Sequence, residues 1–83
     1  MTPTFGEAVR AMRRRRGLSQ EELADAAGLH RTHISLIERG LREPSLDTLV
    51  KLCRGLGVSP AEALMWYVEA RAEHENQPLR DER

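Results

Sequence analysis

The sequence predicts an all-α fold in which five helices form one small domain. Three stretches place a serine or threonine three residues before a glutamate, a spacing typical of a helix start. The hydroxyl can accept from the backbone N–H of the glutamate, and the carboxylate can accept from the backbone N–H of the serine or threonine. No stretch alternates polar residues with β-branched or aromatic residues, as a half-buried strand would. Glycines follow four of the predicted helices, where the chain can leave a helix through left-handed backbone. The expected helices span about residues 4–16, 19–27, 30–39, 45–55 and 60–75.

The first two helices have both a clear start and a clear apolar face. Thr4 with Glu7 marks the first start, and Ser19 with Glu22 marks the second. The apolar residues that follow recur every three or four positions, which is the period of an amphipathic helix. The expected core residues of these helices are Phe5, Val9, Met12, Leu23, Ala24 and Ala27.

The third helix separates into two faces. Ile34 and Ile37 lie three residues apart on one face and are expected to anchor the helix in the core. A leucine lies on the opposite, otherwise polar face, which indicates that this face meets a partner. At 100° per residue, that face covers about 140° and holds Arg31, Thr32, Ser35, Leu36 and Arg39.

The fourth helix has an apolar pattern and contains the single cysteine of the chain. One cysteine excludes an internal disulfide, and Cys53 is expected to pack as a small apolar residue. The expected core residues of this helix are Leu46, Leu49, Val50, Leu52 and Cys53, with Leu29 and Leu56 closing helix ends.

The fifth helix carries two apolar stripes. It begins at Ser59 with Glu62, and Pro60 occupies the first helical position, where its missing N–H costs nothing. One stripe is expected to dock on the other helices, and it consists of Ala61, Leu64, Met65, Val68 and Ala72. The other is expected to form a dimer interface, because a small monomer would leave its aromatic residues partly exposed. This second stripe consists of Ala63, Trp66, Tyr67 and Ala70, whose aromatic rings could alternatively complete the core of the monomer.

Length and charge limit what the chain can do. At 83 residues it can bury one modest core, so we expect a single domain over residues 1–75, with the fifth helix used for dimerisation, and a polar tail over residues 76–83.

The net charge is zero, but residues 1–61 carry ten Lys or Arg against seven Asp or Glu, and residues 62–83 carry three against six. One surface can therefore be basic in a neutral protein.

Several function classes find no support in the sequence. No apolar run approaches the roughly 18 residues of a membrane span, and the N-terminus lacks the apolar core of a signal peptide, so we expect a cytoplasmic protein with no membrane partner. The three histidines have no neighbouring cysteine or carboxylate at zinc spacing. A Gly-rich phosphate loop and a nucleophile elbow are also missing. We therefore expect no metal, no cofactor, no small-molecule effector and no catalytic residues.

The spacing within residues 19–39 is the most specific feature of the chain. A helix, a tight turn at Gly28 and a second helix can cross closely only when a small residue, here Ala24, lies at the crossing. The segments "LSQEELADAAGLHRTHISLIERG" and "PSLDTLVKLCRGLGVS" resemble the Cro/repressor-type, or xenobiotic-response-element (XRE) type, helix-turn-helix family over about residues 6–65. The string "RTHIS" in a short chain is also similar to the controller proteins of restriction-modification systems. The resemblance implies a lambda-repressor-like fold with the helix-turn-helix at helices two and three.

The resemblance also implies a DNA interface. In such proteins the second helix of the motif enters the major groove and reads base edges with its first exposed residues, which here are Arg31, Thr32 and Leu36. The planar fork of Arg31 suits guanine, Thr32 can donate, accept or touch a thymine methyl, and Leu36 can make only apolar contacts. The residues expected near the DNA backbone are Gln20, Ser19, Ser35, Arg39, Arg42 and His33, the last of which could instead pack at the domain edge.

Four consecutive arginines, residues 13–16, cannot all contact one duplex because they point around most of the helix. By match to the family, Arg13 pairs with Glu38 and joins the first helix to the third. The other arginines form a solvated basic helix end, from which one or two could reach phosphate.

These observations together predict a homodimeric, sequence-specific DNA-binding regulator that occupies a palindromic operator. Its expected partners are double-stranded DNA, a second copy of the chain and RNA polymerase, which the bound dimer either blocks or contacts. The alternative is a protein-interaction module, such as an antitoxin whose fifth helix or tail grips a partner protein.

Overall fold

The computed structural model describes residues 4–74, and these form five α-helices and no strand. The helices are α1 (Phe5–Arg15), α2 (Gln20–Ala27), α3 (Arg31–Glu38), α4 (Leu46–Leu56) and α5 (Pro60–His74). The predicted all-α class and all five helices are confirmed, with bounds that differ by at most one residue. The predicted polar tail lies outside the described residues.

Local hydrogen bonds start the helices where the sequence predicts. Ser19 Oγ accepts from the backbone N–H of Glu22 at 3.0 Å, and Glu22 Oε1 accepts from the backbone N–H of Ser19 at 2.8 Å. The same reciprocal pair is present at the starts of α1 and α5. Ser45 caps α4 by accepting from Thr48 N at 3.1 Å, a cap for which the sequence has no partner glutamate. At the other end, Gly57 leaves α4 with φ of 74°, a conformation that favours glycine.

The core lies where α2 packs between α3 and α4 and where α1 covers α3. Leu23 of α2, Ile34 and Ile37 of α3 and Leu52 of α4 are at most 1% exposed. Burial also raises the pKa of the Cys53 thiol, because the charged form would lose its hydration. Other residues at or near full burial are Ala8, Val9, Ala24 and Leu56, and those packed partly buried against them are Phe5, Leu29, Leu49, Val58, Trp66 and Tyr67.

Two glycines permit helix contacts that the sequence did not indicate. A Cβ atom at Gly6 would overlap the backbone carbonyl oxygen of Ile37, so α1 and α3 approach through their backbones. A Cβ atom at Gly55 would lie 3.0 Å from the backbone nitrogen of Ala27, so α4 approaches α2 in the same way. Both glycines are inside helices, where they weaken the helix itself, and their function is to let the neighbouring helix come close.

The predicted core of α4 is wrong at two positions. Leu46 is 80% exposed and Val50 is 43% exposed. They lie one turn apart on the same flank of the helix, whereas Thr48, Leu52 and Leu56 form the buried face. The flank with Leu46 and Val50 therefore remains open to solvent.

The two stripes of α5 are exchanged relative to the prediction. Ala63 is 1% exposed, and Trp66 and Tyr67 pack against the core, which is the alternative that the sequence left open for the aromatic residues. The ring of Tyr67 meets that of Phe5 edge-on, with the ring centroids 5.7 Å apart. The side chains that are left exposed come from the stripe expected to dock, and they are Ala61, Leu64, Met65, Val68 and Ala72.

The aromatic side of α5 packs inward because Trp66 and Tyr67 add large apolar rings to the core and Tyr67 meets Phe5 edge-on. The prediction that Ala63 belongs to a dimer interface is wrong, since the monomer already buries it. The side chain of Ala70 lies outside what the structure describes.

Gly6→Ala should destabilise the protein strongly. Alanine ordinarily stabilises a helix interior by about 1 kcal/mol relative to glycine, but here the added methyl group must push α1 away from Ile37. We expect the free energy of unfolding to fall by about 3 kcal/mol in urea denaturation. Gly17→Ala is the control for a clash. No atom lies within 4 Å of the Cβ added there, so this variant has only the backbone strain of alanine at a φ of 70°. A Gly6→Ala variant at least as stable as the wild type would contradict the close α1–α3 contact.

Candidate nucleic-acid interface

The turn between α2 and α3 is short and tightly held. Gly28 adopts a φ of 71° after the last turn of α2, and the backbone N–H of Leu29 then donates to the carbonyl oxygen of Ala24 at 2.9 Å. This is the hydrogen-bonding pattern that ends a helix with a left-handed residue. After it, α3 begins with His30 as N-cap, and the His30 side chain makes no capping hydrogen bond. The start of α3 is thus fixed by the turn and the core rather than by a cap.

The outward face of α3 carries the residues that the sequence placed there. Arg31 and Thr32 occupy its first turn and are exposed, whereas Ser35, Leu36 and His33 are half-buried. Behind this face, Ile34 and Ile37 are buried completely in the core. Neither Arg31 nor Thr32 makes a side-chain hydrogen bond within residues 4–74. These two side chains are therefore free to bind another molecule, while the helix that carries them is fixed.

The predicted backbone contacts lie at two edges of this face. Ser19 and Gln20 stand at the start of α2, where the Ser19 hydroxyl already accepts the capping bond from Glu22. Arg39 caps the end of α3, and Arg42 follows in the next turn; both are exposed. The basic side chains therefore lie after α3, and polar side chains with backbone N–H groups lie at the start of α2.

A buried ion pair positions α1 and α3 relative to each other. Arg13 and Glu38 are 8% and 4% exposed, and two hydrogen bonds join them. Arg13 Nε donates to Glu38 Oε2 at 2.6 Å, and Arg13 Nη2 donates to Glu38 Oε1 at 3.0 Å. The hydrogen bond with Glu38 raises the pKa of Arg13 above its usual value, because it stabilises the charged guanidinium. The pair that the family resemblance implied is thus present in the structure.

Two further groups extend the ion pair into a network. Arg13 Nη1 donates to the carbonyl oxygen of Leu18 at 2.8 Å, and Gln20 Nε2 donates to Glu38 Oε1 at 3.1 Å. The sequence indicated neither contact. The Gln20 amide nitrogen has two N–H groups, so one remains for another acceptor after the first has been donated to Glu38. The network joins the end of α1, the start of α2 and the end of α3.

The four consecutive arginines, residues 13–16, lie in different surroundings. Arg13 lies in the buried pair, and Arg16 Nη2 donates to the carbonyl oxygen of Gly57 at 3.4 Å, next to the turn between α4 and α5. Arg14 and Arg15 are exposed. The four consecutive arginines therefore point to different parts of the molecule, as the sequence indicated.

The described part of the chain contains no group of three or more His, Cys, Asp or Glu side chains arranged to hold a metal ion. Among the described residues there is also no helix of the length and apolar character needed to cross a membrane.

The chain is similar to proteins of known type. Residues 9–62 match the family described as helix-turn-helix. The control protein C.BamHI of Bacillus amyloliquefaciens is 49% identical over 61 residues, which cover 72% of this chain and 75% of that protein. The crystal structure of the restriction-modification controller protein C.AhdI from Aeromonas hydrophila superposes with a TM-score of 0.68 and 42% identity, covering 71% of this chain and 89% of that one. The clp gene regulator ClgR from Corynebacterium glutamicum superposes with a TM-score of 0.79 and 33% identity, covering 88% of this chain and 78% of that one.

Arg13→Met should cost about 3 to 5 kcal/mol of unfolding free energy, because it leaves the Glu38 carboxylate buried without its cation. Urea denaturation at neutral pH measures the loss. Arg14→Met is the matched control, since Arg14 is the exposed neighbour and should change stability by less than about 0.5 kcal/mol. Adding Glu38→Leu to Arg13→Met should recover most of the loss, because the uncompensated charge is then removed. Equal stability of the Arg13→Met and Arg14→Met variants would show that the ion pair does not hold the helices.

Proposed function

The chain belongs to the XRE-type helix-turn-helix family, and on that premise we propose that it is a sequence-specific DNA-binding transcriptional regulator that acts as a homodimer on a palindromic operator. The observation that carries the proposal is the two-sided α3. Ile34 and Ile37 hold it from behind, and Arg31 and Thr32 project from its first turn with no side-chain hydrogen bond to another described residue. The DNA major groove is about 12 Å wide and admits such a helix.

Three residues of α3 are proposed to read bases. Arg31 can donate two parallel hydrogen bonds to O6 and N7 of a guanine, which is the most frequent specific contact in the major groove. Thr32 can bond to a base edge or touch a thymine methyl group. Leu36 is half-buried, so only the outer part of its side chain is available for an apolar contact with a thymine methyl group.

A second set of residues is proposed to hold the DNA backbone. Arg39 and Arg42 bring positive charge to one side of α3, and the remaining N–H of Gln20 lies at the start of α2. The first turn of α2 also carries Glu21 and Glu22, which oppose phosphate. The attraction between protein and phosphate therefore rests chiefly on the arginines. Ser19, Ser35 and His33 are proposed to assist by hydrogen bonding.

The homodimer is proposed to form through the apolar surface that the structure leaves open, not through the stripe that the sequence indicated. Leu64 and Val68 of α5 are 54% and 49% exposed, and Leu46 and Val50 of α4 are exposed as well. Leu64 and Leu49 line one hollow, which places Leu64 of α5 beside α4. We call the surface formed by Leu46, Val50, Leu64 and Val68 the α4–α5 surface.

A two-fold axis through the α4–α5 surface would bring identical apolar residues together, as an isologous interface requires. It would also fix the distance between two α3 helices, so that each reads one half-site of a palindrome. The bound dimer then acts by occupancy, either by blocking RNA polymerase or by contacting it.

Arg31→Ala and Arg39→Ala should impair DNA binding in different ways. The operator is first obtained by selecting bound fragments from a random duplex library and sequencing them. Arg31→Ala should then weaken binding to that operator by about 1 to 3 kcal/mol and relax the preference at one base pair per half-site. Arg39→Ala should weaken all sequences about equally and reduce the salt dependence by about one unit of slope per lost phosphate contact.

The measurement is affinity across single-base operator variants at two salt concentrations. If Arg31→Ala weakens every variant by the same factor, Arg31 contacts only the backbone and α3 does not read the groove as proposed. A wild-type protein that enriches no sequence, or that binds without salt dependence, would instead favour the protein-interaction alternative.

Replacing Leu64 and Val68 together by glutamine should give a folded monomer with weaker operator binding, because two linked half-site interactions become separate ones. Sedimentation velocity measures the mass, and circular dichroism checks the helix content. Glu69→Gln is the matched control on α5, since Glu69 is exposed but lies outside the α4–α5 surface. A double variant that remains dimeric would show that the copies associate elsewhere, and a wild type that is monomeric at micromolar concentration would remove the dimer from the proposal.

A further inference from the structure

A groove of about 560 Å³ lies between the last turn of α1 and α5. Its described lining comes from α1, from α5 and from the turn that precedes α5. The proposed DNA-reading residues of α3 and the α2 start are not part of that lining. A role for this groove would therefore be separate from DNA binding and would not depend on it.

The floor of the groove is apolar. Met12, Val58, Ala63 and Trp66 line it, and Met65 stands at its α5 side. Methionine adapts its shape to different partners, and tryptophan offers a large flat surface that remains partly exposed here. A floor of this composition fits an apolar surface that is brought to it from outside.

The two rims of the groove carry opposite charges. Arg15 and Arg16 line the α1 rim, and Glu62 and Glu69 line the α5 rim. Arg16 is in part occupied by the carbonyl oxygen of Gly57, and Glu62 accepts the capping bond from the backbone N–H of Ser59 at 3.0 Å. Within residues 4–74 no ion pair connects the two rims across the groove. Arg15 and Glu69 are thus the charges that remain available to a molecule lying between the rims.

The acidic rim is extended. Glu62 and Glu69 are seven residues apart on one helix, which corresponds to about two turns and about 10 Å. An occupant that satisfies both rims must therefore be elongated, apolar along one side and charged differently on its two flanks. DNA does not fit this description, because the glutamates repel phosphate.

We propose that this groove binds an amphipathic helix of a partner protein. The apolar stripe of that helix, at the i, i+3, i+4 and i+7 spacing, packs on the floor between α1 and α5. Acidic residues on one flank meet Arg15 and Arg16, and basic residues on the other flank meet Glu62 and Glu69. The third helix packs against the two helices that form the groove, as ridges of one helix fit the grooves of another.

The test uses three synthetic helical peptides with the same leucine stripe. One has glutamates on one flank and lysines on the other, the second has glutamates on both flanks, and the third has lysines on both. Trp66 is the single tryptophan of the chain and lines the groove, so its fluorescence reports binding directly. We expect the mixed peptide to bind about fivefold more tightly than either uniform peptide, the difference that one or two exposed ion pairs provide.

Charge reversal at each rim should change the preference in opposite directions. Arg15→Glu cancels the positive charge of the α1 rim and should shift the preference toward the lysine peptide, whereas Glu69→Lys cancels the negative charge of the α5 rim and should shift it toward the glutamate peptide. Arg14→Glu is the matched control, because Arg14 is the exposed neighbour of Arg15 and does not line the groove. Circular dichroism confirms that each variant is folded, and operator binding is measured separately.

Three results would overturn the proposal. The first is equal binding of the three peptides to the wild type, and the second is an unchanged preference in the Arg15→Glu and Glu69→Lys variants. The third is a decrease in molecular mass of either variant in sedimentation, which would assign the groove to a second copy of the chain. A wild-type protein that binds no operator but keeps the peptide preference would count against the proposed DNA function and leave the groove as inferred.

Discussion

The buried pair of Arg13 and Glu38 is the interaction on which the rest of this small domain depends. Removing two charges from water is costly, and the cost is offset only when both are well hydrogen-bonded. Here the guanidinium donates to both carboxylate oxygens and to the Leu18 carbonyl, and the carboxylate also accepts from Gln20. These bonds have directions, so they hold α1, α2 and α3 in one arrangement, which apolar contacts alone would define less sharply. The helix proposed to read DNA ends at Glu38, and its position relative to α2 follows from this network.

Close packing supplies the second constraint. Gly6 lets α1 approach the backbone of α3, and Gly55 lets α4 approach the backbone of α2. Between them, the side chains of Leu23, Ile34 and Ile37 are shielded from water almost completely. A chain of 83 residues has a modest core, so each contact of this kind contributes a large share of a small total stability. Because Ile34 and Ile37 supply the core contacts of α3, the exposed side chains of Arg31 and Thr32 are not needed for packing.

The fifth helix shows how one amphipathic element can serve more than one purpose. Its aromatic side packs on the chain's own core, its aliphatic side is exposed, and Glu62 and Glu69 border the groove beside α1. A surface of this kind is more apolar than a monomer requires, and exposed apolar patches on small proteins commonly mark interaction sites. DNA reading by α3, self-association through the α4–α5 surface and partner binding in the groove are therefore proposed for three separate surfaces.

The sequence by itself determined the features that depend on neighbouring residues. Helix starts follow from hydrogen bonds within one turn, as in Ser19 with Glu22, and the helix end at Gly28 follows from the backbone freedom of glycine. The two faces of α3 follow from a fixed 100° per residue. The tertiary structure alone decided which stripe of α5 is buried, that Leu46 and Val50 stay exposed, that Gly6 and Gly55 are contact points, and that Gln20 donates to Glu38. Each of these depends on which side of a helix meets another helix far away in the chain, and periodicity within one helix does not contain that information.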